Sequence, residues 1–325
     1  MTSLLSVEDL EVNLTDPLTG RTGRVLRGVD LSLAAGERLA LVGESGCGKS
    51  VTALSVLHLL PSPPMRISGG AIRFNGRDLG TLSEREWREV RGREIGIVFQ
   101  DPLAAMNPVL TAGEQTSETL RLHLGLAEEA ARKKVHELFR EVGLADPERI
   151  FSQHPHQLSG GMCQRVMIAM AVACGPALLI ADEPTTALDV TVQSQILELL
   201  TRMTERHRLA VLLITHDLRI VRGHADRVAI LYAGQVVETG APREIFDHPQ
   251  HPYTEGLLSC LPEFSRKDSP LFTIPGTVPS PYEEVLGCSF APRCSRAQAR
   301  CRAVSPPLDQ AGEGHQVRCF YPSGK

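Results

Sequence analysis

Eight consecutive residues, Gly43-Glu44-Ser45-Gly46-Cys47-Gly48-Lys49-Ser50, satisfy every fixed position of the pattern G-x-x-x-x-G-K-[ST]. Glycines at these positions let successive backbone N–H groups turn inward on a chain of phosphates, and a following helix adds its positive N-terminal end. Lys49 is expected to reach the β- and γ-phosphates of a nucleotide, and the Ser50 hydroxyl to hold a Mg²⁺ ion. At Cys47 the backbone matters more than the sulfur. Further along, the apolar run Leu178-Leu179-Ile180-Ala181 leads straight into Asp182-Glu183. Two carboxylates at a strand end near a bound Mg²⁺ can divide the work: Asp182 orients the metal's water shell and Glu183 accepts a proton from an attacking water. The run Leu212-Leu213-Ile214-Thr215 delivers His216 in the same way, an imidazole able to contact the γ-phosphate and hold the water in line. Gln100, at the end of the run from Ile95 to Phe99, can bridge Mg²⁺ and that water.

A second anion-friendly stretch, Leu158-Ser159-Gly160-Gly161-Met162-Cys163-Gln164-Arg165, stands about 110 residues after the first, at the start of another apolar helix. One nucleotide needs one cradle. Two cradles on one chain suggest two subunits facing each other, each site completed by the neighbour.

These residues need strands that end at them and helices that begin at them. Short alternating runs between residues 4 and 42, among them Ser6 to Val12 and Val25 to Leu33, read as antiparallel strands leading into the loop. Val51 to Leu60 reads as the helix behind the loop, stopped by Pro61-Ser62-Pro63-Pro64; Gly69 to Gly76 reads as a strand and a turn. From Asp101 to about Gly161 the pattern turns helical, with Ala131, Val135, Leu138, Phe139 and Val142 on one helix face and Gly143 past its end. Strand-like runs resume at Ala177, Ala210 and Val228. Alternating strands and helices after a phosphate loop make the fold class α/β, with the nucleotide at the strand ends.

The bulk numbers narrow the partners. A length of 325 residues suits about two domains. A net charge of −4 gives no electrostatic case for nucleic acid. The longest nearly uncharged apolar run, Val166 to Ala181, is 16 residues and is broken by Gly175-Pro176, too short to span a bilayer. The first five residues lack the basic start and apolar core of a secretory signal, so a cytosolic protein is expected, its eight cysteines reduced.

Beyond about residue 260 the chain is loop-rich, with nine of its 22 prolines and four of its eight cysteines. Cys288, Cys294, Cys301 and Cys319 are separated by five, six and seventeen residues. Four thiolates suit a cubane iron-sulfur cluster or a structural zinc; the lack of a close C-x-x-C pair favours iron-sulfur, and unligated thiols are the remaining alternative. Arg293, Arg296, Arg300 and Arg302 lie among these cysteines with no acid between Cys288 and Arg302, positions from which they can offset thiolate charge or stay solvated.

Together these stretches resemble the nucleotide-binding subunit of an ABC transporter over about residues 4 to 260. They supply Walker A at Gly43 to Ser50, Gln100, the signature at Leu158 to Arg165, Walker B through Glu183, Thr186-Ala187-Leu188-Asp189 as the D-loop, and His216. The resemblance implies a P-loop NTPase of ABC type: a RecA-like core, an antiparallel β subdomain, a helical subdomain at about 101–161, and a small C-terminal cysteine domain at 261–325. It implies an ATPase using ATP and Mg²⁺, in which Ser159, Gly160, Gly161 and Gln164 act on the partner's nucleotide. Gln100-Asp101-Pro102, Asn107-Pro108, Thr186 to Leu200, His251-Pro252-Tyr253-Thr254 and the cysteine tail are similar to the oligopeptide, dipeptide and nickel uptake branch. Members with that tail resemble ones carrying a [4Fe-4S] cluster. The branch implies a paralogous ATP-binding subunit as heterodimer partner, two transmembrane permease subunits and an extracytoplasmic solute-binding protein, with this chain peripheral on the cytoplasmic face of the bacterial inner membrane. Lys49 to Ala53 looks more like the first of the two ATPases. Di- or oligopeptides are the expected solutes, with nickel, glutathione or another small solute as the alternative. A soluble ABC ATPase acting on DNA or ribosomes fits less well, since there is one nucleotide domain, no long coiled coil and no basic stripe; a regulatory module without turnover would not need Glu183 and His216. Two departures stand out: Cys163 where the signature usually has Arg or a similar polar residue, and no Phe, Tyr or Trp from Met1 to Gly70 to stack adenine, the aligned place being Gly20.

Overall fold

Twelve strands are described in chain order. β1 (Leu5–Thr15), β2 (Thr22–Leu33), β3 (Arg38–Val42), β4 (Met65–Phe74) and β5 (Arg77–Asp78) come first. β6 (Ile95–Val98), β7 (Leu178–Asp182) and β8 (Ala210–Thr215) follow, then β9 (Arg227–Tyr232), β10 (Gln235–Gly240), β11 (Asp309–Gly312) and β12 (His315–Val317). The computed structural model describes residues 3–186, 188–261 and 272–323, so Ala187 of the Thr186–Asp189 stretch and the start of the 261–325 tail lie outside the described residues. The chain divides into two compact units: Met1–Leu33, Arg38–Gly80 and Thr215–Lys325 form one, and Ala34–Glu37 with Thr81–Ile214 form the other.

In the first unit, β2-β1-β4-β5 make an antiparallel sheet. Leu5, Val7, Leu10 and Val12 of β1 turn inward, but the alternation breaks between Val7 and Leu10 because Asp9 takes a left-handed conformation, φ 46°. Its side chain occupies the space over Gly28, where an added Cβ would lie 2.6 Å from Asp9 Oδ1; Gly28, at φ 85°, sits at a bulge suited to glycine. Asn75 and Gly76, both at positive φ, close the turn between β4 and β5. A second set of strands runs β11-β12-β10-β9-β3, with β3 parallel to β9 and the other pairs antiparallel.

The helix behind the phosphate loop is Lys49–Val56, shorter than its apolar pattern suggests. It ends five residues before Pro61 because His58 turns left-handed, φ 52°, and the Leu59 N–H folds back on the Leu54 carbonyl at 2.8 Å. The prolines begin the next segment and do not stop the helix.

The second unit has β6, β7 and β8 in parallel. β7 is buried along its whole length, which explains its unbroken apolar run. Between β6 and β7 the helices Ala112–Leu124, Glu128–Glu141, Pro147–Phe151 and Gly160–Val172 pack on one another. The expected face of Ala131, Val135, Leu138, Phe139 and Val142 is buried, and Gly143 at φ 80° receives the chain at the helix end.

The tail packs within the first unit. Phe290 joins the core cluster of Tyr232, Tyr253 and Val42, its ring centroid 5.2 Å from Tyr232 and 5.4 Å from Tyr253. β12 extends the strand set through Glu238–Val317 pairing on β10.

Candidate functional site

In the first unit the phosphate loop leaves β3 at Gly43. A Cβ there would lie 2.2 Å from the Leu231 carbonyl oxygen, so no side chain is tolerated. Gly46 and Gly48 take φ of 78° and 109°, conformations open to glycine at no steric cost. Gly48 caps the helix Lys49–Val56 with no side-chain hydrogen bond, so the positive end of the helix opens directly from the glycine-rich turn. Lys49 is buried, and its Nζ donates to the carbonyls of Gly43 at 2.9 Å and Glu44 at 3.1 Å. Cys47 is buried and burial pushes its thiol up, while its carbonyl accepts from Gly234 N–H at 2.9 Å; the sulfur is packing and the backbone is structure. Ser45 is exposed, and Ser50, half-buried, is the second residue of the helix. His216 follows the last residue of β8, just before Asp217, which caps the helix Leu218–His224 by accepting from Arg219 N–H at 2.9 Å.

In the second unit the structure brings Gln100 and Glu183 together: Gln100 Nε2 donates to Glu183 Oε2 at 3.3 Å. The same oxygen accepts from Thr186 Oγ1 at 2.9 Å. Glu183 itself sits at φ 45°, an uncommon conformation for a residue with a side chain and one that clusters at functional sites. Its N–H is tied to the Ile214 carbonyl at 2.9 Å, so the carboxylate is fixed from both backbone and side chain. Asp182, buried, ends β7 opposite Ile214. Thr186 as a partner of Glu183 has no signal in the sequence beyond its nearness in the chain.

Ser159 caps the helix Gly160–Val172, its Oγ accepting from Met162 N–H at 3.3 Å. Ser159 and Gly160 are exposed and Gly161 half-buried, its absent side chain making room for Val192 at 2.9 Å from an added Cβ. Gln164 is buried, and among the described residues its Nε2 has no hydrogen-bond partner. Cys163 is also buried, and its Sγ donates to the Pro155 carbonyl at 3.4 Å. The departure at position 163 is thus accommodated inside the helical packing, off the exposed surface of Ser159 and Gly160. Asp189 caps the helix Val190–His207, accepting from the N–H groups of Thr191 and Val192 at 3.1 and 3.0 Å.

Cys288, Cys294, Cys301 and Cys319 line one cavity, together with His251, Phe290 and Tyr321. All four are free thiols, and burial pushes Cys288 and Cys294 up and Cys319 up to about 11. Among the described residues no group of three or more His, Cys, Asp or Glu is spaced to hold a metal ion. Burial pulls His251 down to about 3, and its Nδ1 accepts from Tyr253 N–H at 3.0 Å, so the ring is neutral at this cavity wall. Of the arginines placed to offset thiolate charge or stay solvated, Arg296 lines the cavity beside the thiols while pairing with Glu255; Arg293 binds Glu44, and Arg300 stacks 3.9 Å from the Phe320 ring centroid. A hydrogen bond from Arg293 to the phosphate loop is beyond any local sequence signal.

Two family models match the chain, one for ABC transporters over residues 26–186 and one for the oligopeptide/dipeptide transporter C-terminal region over residues 237–301. The chain is 45% identical over 320 residues to the dipeptide transport ATP-binding protein DppD of Escherichia coli K12, covering 98% of this chain and 97% of that protein. It is 46% identical over 320 residues to the protein of the same name from Bacillus subtilis 168, covering 98% and 95%. Among solved structures it is similar to the ATP-binding cassette MJ0796 in a dimeric post-hydrolysis state bound to ADP and Pi, with a TM-score of 0.65 and 30% identity over 74% of this chain and 99% of that one. A second dimeric structure of MJ0796, a bacterial ABC transporter cassette, gives a TM-score of 0.66 at 29% identity, covering 74% and 99%. No described helix is long and apolar enough to cross a membrane. A complete phosphate loop, a paired Gln100–Glu183 and this depth of likeness lead to one conclusion: the chain belongs to the ATP-binding subunits of the oligopeptide/dipeptide ABC transporter family and is an ATPase.

Proposed function

We propose that the chain powers the import of di- or oligopeptides, working as a peripheral subunit on the cytoplasmic face of a bacterial inner membrane. The observation that carries this reading is the oligopeptide/dipeptide C-terminal region on the same chain as a whole ATPase cassette. The relatives named for dipeptide transport share nearly the full length, which supports the same division into a cassette at 4–260, its helical part at 101–161, and a C-terminal domain at 261–325.

In this reading Gly43, Glu44, Ser45, Gly46, Cys47 and Gly48 wrap the phosphates with backbone N–H groups, while Lys49 stabilises charge on the β- and γ-phosphates. Ser50 and Gln100 would hold Mg²⁺ and Asp182 would order its waters; oxygen-rich side chains of this kind suit a hard cation. When bound, Mg²⁺ neutralises charge on the phosphate oxygens. Glu183, fixed by Gln100 and Thr186, takes the proton of the attacking water, and His216 holds that water in line. Ser159, Gly160, Gly161 and Gln164 act in trans on the nucleotide of a second ATP-binding subunit, with Asp189 in the adjoining D-loop. That second subunit is a paralogue, and two permease subunits and an extracytoplasmic solute-binding protein complete the assembly.

The four tail cysteines are proposed to hold a [4Fe-4S] cluster. Four free thiols on one cavity, with no carboxylate among the described residues that line it, are a soft donor set suited to iron-sulfur or zinc more than to a hard ion.

Transport is tested by placing the chain, its paralogue and the permease pair in proteoliposomes. Dipeptide-loaded binding protein should raise ATP hydrolysis and fill the vesicles with peptide. Stimulation by nickel or glutathione, with none by peptides, would reassign the solute, and hydrolysis indifferent to every solute would overturn the importer reading.

A further inference from the structure

Glu44 fills one of the four positions that the phosphate-loop pattern leaves open, yet its side chain, amide and carbonyl are all hydrogen-bonded. Its carboxylate receives two hydrogen bonds from one guanidinium, Arg293 Nη1 to Oε2 at 2.6 Å and Nη2 to Oε1 at 3.1 Å. Its N–H donates to Tyr253 Oη at 2.9 Å, and its carbonyl accepts from Lys49 Nζ at 3.1 Å. Side chain, amide and carbonyl of one residue are thus all committed. Two of its partners come from the last quarter of the sequence; the others are Cys47, whose N–H reaches the same carbonyl at 3.3 Å, and the lysine expected to meet the phosphates.

Arg293 is equally constrained. Its side chain is 4% exposed, against 30% for Glu44. Nε donates to the Pro275 carbonyl at 2.9 Å, Nη2 to the Ile274 carbonyl at 3.3 Å, and Nη1 to Tyr232 Oη at 3.4 Å. It lies in the tight segment between Cys288 and Cys294, where Ala291 N–H bonds the Cys288 carbonyl at 3.0 Å and Arg293 N–H bonds the Phe290 carbonyl at 2.9 Å. The Cys288 N–H is tied in turn to the Cys301 carbonyl at 2.8 Å. A guanidinium mounted this rigidly cannot shift without the cysteine segment shifting too.

Buried ion pairs add little to net stability, because desolvation offsets much of the attraction; where they are useful is in selecting one conformation. We propose that Arg293 is a positioning residue for nucleotide binding: by clamping Glu44 it holds the phosphate loop, and with it the anchor point of Lys49, in the conformation that receives phosphates. The C-terminal cysteine region then sets the affinity of the ATP site. This inference rests on the reading of the loop as the ATP site.

The experiment uses the full chain and measures Mg-ATP affinity by isothermal titration, KM and kcat for hydrolysis, and a thermal melt, for wild type, Glu44→Ala and Arg293→Met. Both variants are expected to bind ATP about tenfold more weakly, with KM raised by the same factor, in line with a lost charge-assisted hydrogen bond; for Arg293→Met, kcat at saturating ATP stays within about twofold of wild type. The sign for Glu44→Ala separates positioning from bulk charge, because removing an acid beside a phosphate site would by charge alone strengthen ATP binding. Should Arg293→Met fail to fold, Glu44→Ala breaks the same clamp from the loop side. ATP affinity equal to wild type in a folded Glu44→Ala variant, or tighter, would overturn the proposal while leaving the ATPase reading in place. No ATP binding by wild type would overturn both.

Discussion

Glu183, the proposed general base, shows how much of such an assignment lies in the chain and how much in its surroundings. Its type and its place after a buried apolar run are local facts, and they single it out as a candidate. Its orientation is not local in the same sense: Gln100 is 83 residues away, and Thr186 contributes a hydroxyl whose partner its position in the turn does not reveal. Replacing Glu183 by Gln keeps the size and the capacity to accept from Thr186 but removes the basic oxygen. ATP binding should persist while hydrolysis falls by about a hundredfold or more, the usual worth of a positioned general base. Single-turnover hydrolysis with a parallel binding measurement decides this, and a wild-type rate would strip Glu183 of its role. Cys163 teaches the converse. A departure that looks chemical in the sequence is, in three dimensions, a buried side chain with a carbonyl partner.

At the scale of elements, β3 and β9 carry the phosphate loop and the carbonyl that Gly43 packs against. Their beginnings are pinned by Arg38 and Asp226. Arg38 donates from its N–H, Nε and Nη2 to the Asp226 carboxylate at 2.9, 3.2 and 2.6 Å, and Asp226 N–H returns a bond to the Arg38 carbonyl at 2.8 Å. The Arg38 hydrogen bond holds the Asp226 carboxyl below its ordinary value of 3.8. Because the folded state favours the ionised form, the contribution is complete above 3.8 and is lost as pH falls through the lower folded value. Asp226→Asn should therefore unfold at lower urea concentration than wild type at pH 7, and the two midpoints should converge as the buffer is taken below 3.8. A gap of constant size across that range would show the carboxylate's charge to be irrelevant. The elements themselves were largely readable, because buried strands and amphipathic helices leave periodic patterns. The end of the helix Lys49–Val56 was not: the left-handed turn at His58 has no residue type that demands it.

For the whole molecule, composition sets the tail apart, with its prolines, cysteines and short loops, but its contacts do not. Phe290 sits among Tyr232 and Tyr253, and the fully buried Glu238 accepts from His315 Nε2 at 2.7 Å and from the N–H groups of Gln250 and His251 at 2.7 and 3.0 Å. Metal content is the direct test of what the tail holds. Chain purified without oxygen should carry about four irons and four sulfides, and Cys294→Ser should lose them; stoichiometric zinc, or no metal, would remove the cluster from the account. By itself the sequence determined the α/β class, the phosphate loop, the acidic strand end and the family. These rest on contiguous patterns, since an anion cradle is built from successive backbone groups and a strand end from successive side chains. Only the tertiary structure decided that Glu183 is held by Gln100 and Thr186, that Cys163 is interior, and that Arg293 reaches Glu44 across 249 residues. A hydrogen bond depends on where two groups come to rest after folding, and neither residue type nor spacing carries that information.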